Sequence, residues 1–474
     1  MNLRMLLALS AVAVGTCAVG KDIDVAAHVK KYWVRYHNRN VEPADGDKRW
    51  PMTPEIKAER LAHFKAMMAK FAPHIVEESY VIDKAFGWKK GTYLGAMRFG
   101  ARDIKPAKDV PKPDHECTTW VTMDNLTGGK SILIHKNRDS RGRPLTLQRR
   151  AVPGKHAWIG NGPLHGFQPT QGINDRGVAV MMNAGDALPE AENSQYGFGV
   201  LMMCRILLEE SGSAEEAVNL LEKIIYSDAH THVECGSIWF IGDSKNVYIV
   251  EHSNRKLVAK KVNSGFIARA NAFHYPEMQI YSLRNYKGFV NHARREFAVR
   301  DYLVNKQWRN NGVITPLDNA AASRIDKYAD EAKCAAPCGK STISATTFVI
   351  DKEYPEYLSS ACMVFASPAS SVYLPVPMTL REIPEEILNG SYSSRSFELM
   401  DKKAPLLPVD KVAALEKELY ARHEAAVEKA RNLLRTSTLY TAQSDAAKIL
   451  NDAFAENFRA IENAVKLNQA QAAK

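Results

Sequence analysis

The chemistry that this sequence could perform starts at Cys117, the first residue of the run Cys-Thr-Thr-Trp. A Pro- and Lys-rich stretch over 105–115 precedes it and a β-branched run follows, which predicts an exposed connector that ends where a strand begins. Cleavage before Cys117 would give it a free α-amine, with an ordinary pKa of about 8, that could take the proton of its own thiol. One explanation of this position is that Cys117 does not stay internal to the chain.

A second set of polar residues follows in the run Ile-His-Lys-Asn-Arg-Asp-Ser over 134–140. A Gly-Gly turn separates it from the strand of Cys117, so a hairpin would return Asp139 to the side of Cys117. The Asp139 carboxylate could then accept a hydrogen bond from the α-amine. Lys136 and Arg138 would supply positive charge for substrate binding. An aspartate after a strand is also a common turn former, which is the alternative for Asp139.

Two asparagines stand at the ends of predicted strands. Asn183 ends the run Gly-Val-Ala-Val-Met-Met-Asn, and Asn271 follows Phe-Ile-Ala-Arg-Ala. A side-chain amide in such a place can donate a hydrogen bond to the oxyanion that forms when a thiolate attacks an amide carbonyl. Turn formation is the alternative for both residues.

No pattern in the sequence predicts a metal or an organic cofactor. His230, His232 and Glu234 would share one face of a strand, but three ligands this close together in one strand rarely converge on one ion. The sequence has neither the Walker phosphate-binding pattern nor the Gly-rich dinucleotide pattern. We therefore expect chemistry that uses side chains alone, with no cofactor.

The composition is that of a large globular protein, with 474 residues of which 45% are hydrophobic and 24% charged. The net charge of +10 fits attraction to acidic molecules, but no basic run is interleaved with aromatic residues, which argues against nucleic acid. Residues 1–20 are typical of a signal peptide, with Arg4, a short apolar run and small residues before Lys21. We expect a secreted or periplasmic protein with no transmembrane span; lipid attachment at Cys17 is the alternative.

Six cysteines follow this leader, at positions 117, 204, 235, 334, 338 and 362. An oxidising compartment permits disulfides, and Cys334 with Cys338 would be the most local pair. If Cys117 stays a thiol, an odd number remains, so at least one other cysteine must stay reduced. Cys204, in the apolar run Gly-Val-Leu-Met-Met-Cys, fits that state best.

Three regions follow the leader. Residues 21–116 form a helical prosegment, with an amphipathic helix that begins at Thr53 and Pro54. Residues 117–405 contain pairs of strands with short turns, which predicts antiparallel sheets with helices packed outside. Residues 406–474 have a narrow apolar helical seam, and we expect a helical extension on the core, with a dimerising coiled coil as the alternative.

In their order along the chain, the motifs resemble those of the N-terminal-nucleophile hydrolases. They are Cys-Thr-Thr, a hairpin, Lys-Asn-x-Asp-Ser, Gly-x-Asn-x-x-Gly before a strand that ends in Asn, and Asn-Ala-Phe. Over residues 60–400 the chain is similar to the cysteine branch of penicillin V acylase, bile salt hydrolase, secreted dipeptidases and penicillin acyltransferases. The resemblance implies an α+β fold, a four-layer αββα sandwich. It also implies hydrolysis, or transfer of the acyl group, at a linear amide such as a dipeptide or an N-acyl amino acid.

The same resemblance implies roles for the residues already singled out. Cys117 would be the nucleophile and Asp139 would hold its α-amine. Asn183 and Asn271 would contribute to the oxyanion hole. Lys136 stands where the family pattern has arginine, which keeps the charge but not the planar fork.

The resemblance further implies self-cleavage of the bond between Glu116 and Cys117, after which the prosegment would stay associated as a small subunit. Two other classes of protein remain open from the residues. One is a papain-type hydrolase with His115, His135 or His274 as base, although such enzymes place the cysteine at a helix N-terminus and the residues after Cys117 favour a strand. The other is a non-catalytic exported binding protein in which Cys117 is a structural thiol.

Overall fold

The computed structural model describes much of the chain. The described residues are 21–33, 54–97, 117–140, 144–187, 197–227, 229, 235–254, 256–263, 265–282, 286–325, 337–339, 341–401, 407–437 and 441–472. The predicted signal peptide, residue Glu116 and the residues His230, His232 and Glu234 lie outside this part of the chain.

The part of the predicted prosegment that is described is helical. Its helices are α1 (Val25–Tyr32), α2 (Pro54–Phe71), α3 (Pro73–Phe86) and α4 (Thr92–Met97). The predicted helix that begins at Pro54 is confirmed, and Pro73, which cannot continue it, opens the next one instead. Gly87 ends α3 in the left-handed conformation, with φ of 70°.

The strands of the described residues form two sheets in which every pairing is antiparallel, as the hairpin pattern predicted. Sheet A has the order β10-β1-β2-β11-β12-β13, and sheet B has the order β3-β4-β5-β6-β7-β8-β9. The strands are β1 (Thr118–Thr122), β2 (Ser131–Asp139), β3 (Leu145–Arg150), β4 (Trp158–Pro163), β5 (Gln171–Asn174), β6 (Ala179–Asp186), β7 (Cys235–Gly242), β8 (Val247–His252), β9 (Leu257–Lys261), β10 (Phe266–Arg269), β11 (Thr342–Asp351), β12 (Ser360–Val364) and β13 (Leu374–Pro377).

Helices cover the outer face of each sheet. Sheet B packs on α5 (Val200–Glu210) and α6 (Ala214–Tyr226), whose apolar side chains are buried against its outer residues. Sheet A packs on α7 (Tyr286–Arg300), the π-helical stretch Asp301–Trp308 that continues into α8 (Arg309–Asn311), and α9 (Pro316–Ser323). The shorter helices are α10 (Pro355–Leu358), α11 (Glu385–Leu388) and α12 (Ser391–Asp401).

The main core lies between the sheets. Ile132 and Ile134 of β2 face Ile159, Ile238 and other apolar residues of sheet B. Because side chains alternate along a strand, Leu133 points the other way and joins the core under the helices. These four layers confirm the predicted αββα sandwich.

The C-terminal residues form an antiparallel pair, α13 (Val409–Thr436) and α14 (Thr441–Ala472). Leu419, Phe454 and Phe458 are buried in the same core as the residues of β13, the edge strand of sheet A. The pair thus covers a sheet edge of its own chain. No described helix is long and apolar enough to cross a membrane.

Buried charges join the N-terminal helices to the sandwich. Glu78 of α3 accepts hydrogen bonds from Arg150 of β3 and from both terminal nitrogens of Arg205, at 2.6 and 2.9 Å from the latter. Arg150 also donates to Asp22 at 2.9 and 3.1 Å. His74 of α3 contacts Glu209 of α5 at 2.7 Å. Because a buried charge is stable only with its partners, these contacts fix the position of helix α3, which carries Glu78 and His74, and of the segment around Asp22.

We expect Glu78→Gln to lower the free energy of unfolding by roughly 3–5 kcal/mol, because it leaves two buried guanidinium groups without this carboxylate. Chemical denaturation followed by circular dichroism measures the change. Glu277→Gln is the control, since Glu277 pairs with Lys260 at an exposed position and its loss should have little effect. A Glu78→Gln protein as stable as the wild type would contradict the structural importance of this network.

Candidate active site

Cys117 lies directly before β1, at the end of sheet A that also holds the end of β2 and the start of β11. Its side chain is buried, and its Sγ accepts a hydrogen bond from the backbone N–H of Asp139 at 3.4 Å. The thiol donates to the carbonyl oxygen of Asp139 at 3.8 Å. The predicted hairpin therefore places Asp139 beside Cys117.

Three polar side chains lie on the strands around Asp139 and Cys117: Thr342, Arg138 and Lys136. The hydroxyl of Thr342, opposite Asp139 on β11, donates to Asp139 Oδ1 at 2.6 Å and orients the carboxylate. Arg138 is half-buried and donates to Ser140 at 3.4 Å. Lys136 is buried between the sheets and donates from Nζ to the carbonyl oxygen of Met182, so its predicted contact with substrate stays a prediction.

Arg295, on α7, is the site residue that the sequence did not single out. Its buried guanidinium donates to the carbonyl oxygen of Cys117 at 2.7 Å and to the hydroxyl of Thr118 at 3.0 Å. It also donates to Oδ1 of Asn271 at 3.1 Å. This one side chain joins Cys117 to the strand-end asparagine, and it supplies a positive charge at the point where both meet.

The two predicted asparagines have different surroundings. Asn271 donates from Nδ2 to the carbonyl oxygen of Ala184 at 2.8 Å, and the bond from Arg295 fixes which side-chain atom is the oxygen. Asn183 accepts from the hydroxyl of Thr119 at 2.7 Å and donates both amide hydrogens, to the carbonyl oxygens of Arg269 and Ala270. An oxyanion contact from Asn183 would break these bonds, so in this structure it is a positioning residue.

Several contacts fix the segment that carries Asn271. Glu296 accepts from the backbone N–H of Ala270 at 2.8 Å. The carboxylate of Glu251 accepts from the N–H groups of His274 and Tyr275 at 2.8–2.9 Å, and burial raises its pKa. Each end of the segment is therefore tied to a carboxylate by backbone hydrogen bonds.

Phe273 packs on two glycines that are paired across β6 and β7. A Cβ added to Gly185 would lie 2.7 Å from the ring of Phe273, and one added to Gly236 would lie 2.6 Å from it. The glycines therefore leave the space that the ring occupies. This is the packing reason for glycine at both positions, since only a residue without Cβ permits so close an approach.

No histidine contacts Cys117 among the described residues. His135 lies on the opposite face of sheet A, where its ring stacks on Trp120 at 4.0 Å and bonds to Thr347 and Asn137. His274 bonds to Glu296 at 3.1 Å. Burial lowers the pKa of His135 to about 3, so it remains neutral and enclosed. Neither His135 nor His274 therefore supports a papain-type pair, and His115 lies outside the described residues.

Four of the described cysteines are buried as free thiols: Cys117, Cys204, Cys338 and Cys362. Cys204 is buried in α5, where burial raises the pKa of its thiol, as expected for a structural cysteine. Cys334 lies outside the described residues, so the proposed pair with Cys338 stays a prediction.

The described residues contain no group of three or more histidine, cysteine or acidic side chains placed to hold a metal ion.

Residues 126–303 match the model of the family described as acyl-coenzyme A:6-aminopenicillanic acid acyl-transferase. The match covers less than half of the chain and does not include Cys117. The matched residues include Lys136, Asp139, Asn271 and Arg295, and the match begins just after the strand that follows Cys117. The match supports an enzyme that acts on amide bonds, a hydrolase or an acyltransferase.

Solved structures similar to this chain are distant in sequence. Penicillin V acylase from Agrobacterium tumefaciens has 18% identity and a TM-score of 0.37, covering 56% of this chain and 86% of its own. A mutant of conjugated bile acid hydrolase from Clostridium perfringens has 13% identity and a TM-score of 0.36, with coverage of 57% and 94%. The Caenorhabditis elegans ortholog of N-acylethanolamine-hydrolyzing acid amidase has 13% identity and a TM-score of 0.34, with coverage of 51% and 97%. No curated protein matches the sequence.

We expect Arg295→Lys to lower kcat on an amide substrate by about 10–100-fold, the equivalent of one or two hydrogen bonds to a charged group. A lysine cannot donate to Cys117 and Asn271 at once as the guanidinium fork does. Steady-state kinetics measure the change, with Arg294→Lys, the exposed neighbour on α7, as control. Equal losses in both variants would contradict the assignment of Arg295 to the site.

We expect Gly185→Ala to displace the ring of Phe273 and with it Asn271, at a cost of about 1–3 kcal/mol in stability. Turnover should fall by more than this destabilisation alone explains at a temperature where the protein stays folded. Thermal melting and kinetics together test this. Gly166→Ala is the control, because a Cβ there meets only a side-chain atom of Pro163 at 3.8 Å.

Proposed function

We propose that this protein is an exported, self-cleaving cysteine amidohydrolase whose nucleophile is Cys117. The observation that carries the proposal is the geometry at Cys117: its thiol contacts the backbone of Asp139, and its carbonyl oxygen accepts from Arg295, which also donates to Asn271. We expect a new N-terminus at Cys117 to place an amine within reach of the Asp139 carboxylate, which Thr342 orients. The enclosed position of His135 leaves that amine as the natural base.

The mechanism follows from these groups. The free α-amine, held by Asp139, takes the thiol proton, and the thiolate attacks the amide carbonyl of the substrate. The charge that develops on the carbonyl oxygen is stabilised by the side chain of Asn271 and by the nearby guanidinium of Arg295. The amine then returns the proton to the leaving nitrogen, and a thioester on Cys117 remains. Water, or a second amine, attacks the thioester and releases the acyl group.

The substrate class that we propose is a linear amide that carries a carboxylate, such as a dipeptide or an N-acyl amino acid. Arg138, half-buried near the end of β2, is the described cation best placed to attract such a group, and it lies beside Asp139 in sequence. The net charge of +10 favours anionic substrates in general. The name of the matched family describes transfer of an acyl group to an amine, so transfer is the second outcome at the same thioester.

We propose that the prosegment remains bound after cleavage. The buried pairs of Glu78 with Arg205 and of Asp22 with Arg150 would otherwise lose their partners. Apolar contacts add to them, because Phe64 and Met68 of α2 lie in one core with Phe198. The proposed export rests on the leader sequence before Lys21.

The first experiment is intact mass with N-terminal sequencing of purified protein. We expect a chain that begins at Cys117 and a co-eluting chain that ends at Glu116, whereas Cys117→Ala should stay in one piece. Cys362→Ala is the matched control, since it removes a buried thiol of β12, two strands away from β2, and should be cut normally. Wild-type protein that stays uncut through residues 115–120 would overturn self-activation.

Mature protein should then hydrolyse members of a panel of dipeptides and N-acyl amino acids. Esterified and amidated versions of the same compounds, which lack the carboxylate, should react at least about tenfold more slowly, as expected for one charged contact. Added amines that accept the acyl group would shift the product from acid to amide. A preference for the neutral versions would contradict the proposed substrate class.

A further inference from the structure

The proposed self-cleavage needs a base that the mature enzyme does not need. Before the cut, the nitrogen of Cys117 belongs to a peptide bond and cannot accept a proton. A thiol with its ordinary pKa of about 8.5 is mostly protonated at neutral pH. Some group close to Cys117 in the uncut chain must therefore take this proton first.

Lys136 is placed for this task by the register of the hairpin. It lies opposite Thr119, two residues after Cys117, so it shares with Cys117 the face of sheet A that points at sheet B. Residues in such a diagonal position on adjacent strands are within reach of a long side chain. The Nζ atom bonds to the carbonyl oxygen of Met182 on β6, in the space between the sheets.

The surroundings of Lys136 favour the neutral amine. Its side chain is only 2% exposed, and none of the ion pairs among the described residues includes it. The titratable or charged groups that face it are Cys117 on β1, Arg138 and Asp139 on β2, and Cys204 on α5. Burial lowers the pKa of Lys136, and Cys117 is the strongest of the groups that oppose this shift. A neutral amine can donate to Met182 and still keep a lone pair.

We propose that Lys136 is the base of the self-cleavage step, an inference that rests on the proposed function. Nζ takes the proton from Sγ of Cys117, and the thiolate attacks the carbonyl carbon of Glu116. The bond between that carbon and the nitrogen of Cys117 breaks, and the nitrogen receives the proton from Lys136. The product is a thioester between Glu116 and Cys117. Water hydrolyses it to the Glu116 carboxylate and the free thiol, so no other reactant is consumed.

Under this proposal, self-cleavage and substrate turnover use two different bases. Lys136 acts while the α-amine is tied up, and the α-amine acts once the cut has released it. Because the neutral amine is the active form, cleavage should speed up with pH until Lys136 is deprotonated. That midpoint lies below the ordinary lysine value of about 10.4, because burial favours the neutral form.

The test follows the rate of cleavage by intact mass after protein purified at low pH is shifted to a series of higher pH values. Wild-type protein is compared with Lys136→Met, which keeps the length of the side chain without a nitrogen, and with Lys136→Arg, which keeps the charge but cannot give up a proton. We expect both variants to cut at least about 100-fold more slowly, as for the loss of a general base. Circular dichroism shows whether each variant is folded.

A third variant keeps the test decisive if these two fold poorly. In Lys136→Ala, added trimethylamine or ethylamine should restore cleavage, with a pH dependence that follows the added amine. The released segment must then end in a Glu116 carboxylate. If it ends in an ethylamide, the added ethylamine has attacked the thioester as a nucleophile. Cleavage that is restored by ethylamine but not by trimethylamine, and that gives only the ethylamide, counts against the inference.

The outcomes separate the two proposals. If wild type is cut, Cys117→Ala is not, and Lys136→Met or Lys136→Arg is cut at the wild-type rate and pH dependence, then Lys136 is not the base and the self-cleaving nucleophile stands. If wild type is never cut, both proposals fail together.

Discussion

The arrangement of the candidate active site around Cys117 depends on one buried guanidinium, that of Arg295. Arg295 comes from the helical layer, yet it contacts the backbone of Cys117 and the side chain of Asn271, which arrive from strands at one edge of sheet A. The pairing of β1 with β10 brings those two segments together, and the fork of Arg295 fixes their separation. The packing of α7 on sheet A is therefore a condition for the chemistry as well as for stability.

The space between the sheets changes character along a single strand. On β2, Ile132 and Ile134 face apolar neighbours, and the next residue on that face is Lys136. Beside it on β11, Thr346 accepts from Gln171 and Asn161 of sheet B at 2.9 and 3.3 Å. The space between the sheets is thus lined by apolar side chains near Ile132 and Ile134, and by hydrogen-bonded polar side chains at the end of sheet A where Cys117 lies. Because the local dielectric constant is low there, interactions between charges are stronger than in water, and burial shifts the pKa values of amines and thiols.

The sequence predicted the hairpin of Cys117 and Asp139 because the Gly-Gly turn and the alternation of apolar residues set the register locally. It did not predict β3 (Leu145–Arg150), since three polar residues near its end resemble a loop. Arg150 is buried there because Glu78 and Asp22, distant along the chain, supply its partners. Arg295 was missed for a similar reason: its helix also carries the exposed Arg294, and only tertiary packing distinguishes the two.

The contacts of residues 21–33 and 54–97 with the sandwich have a consequence for folding if the proposed cut occurs. In an uncut chain these partners meet by a first-order process, because the backbone keeps them at high effective concentration. After a cut before Cys117, the same contacts would join two chains, and re-forming them would be a second-order reaction. The stability of the cut protein would then depend on its concentration. Under the proposed self-cleavage, folding must therefore be complete before the cut, and a cut protein unfolded in dilute solution would recover slowly.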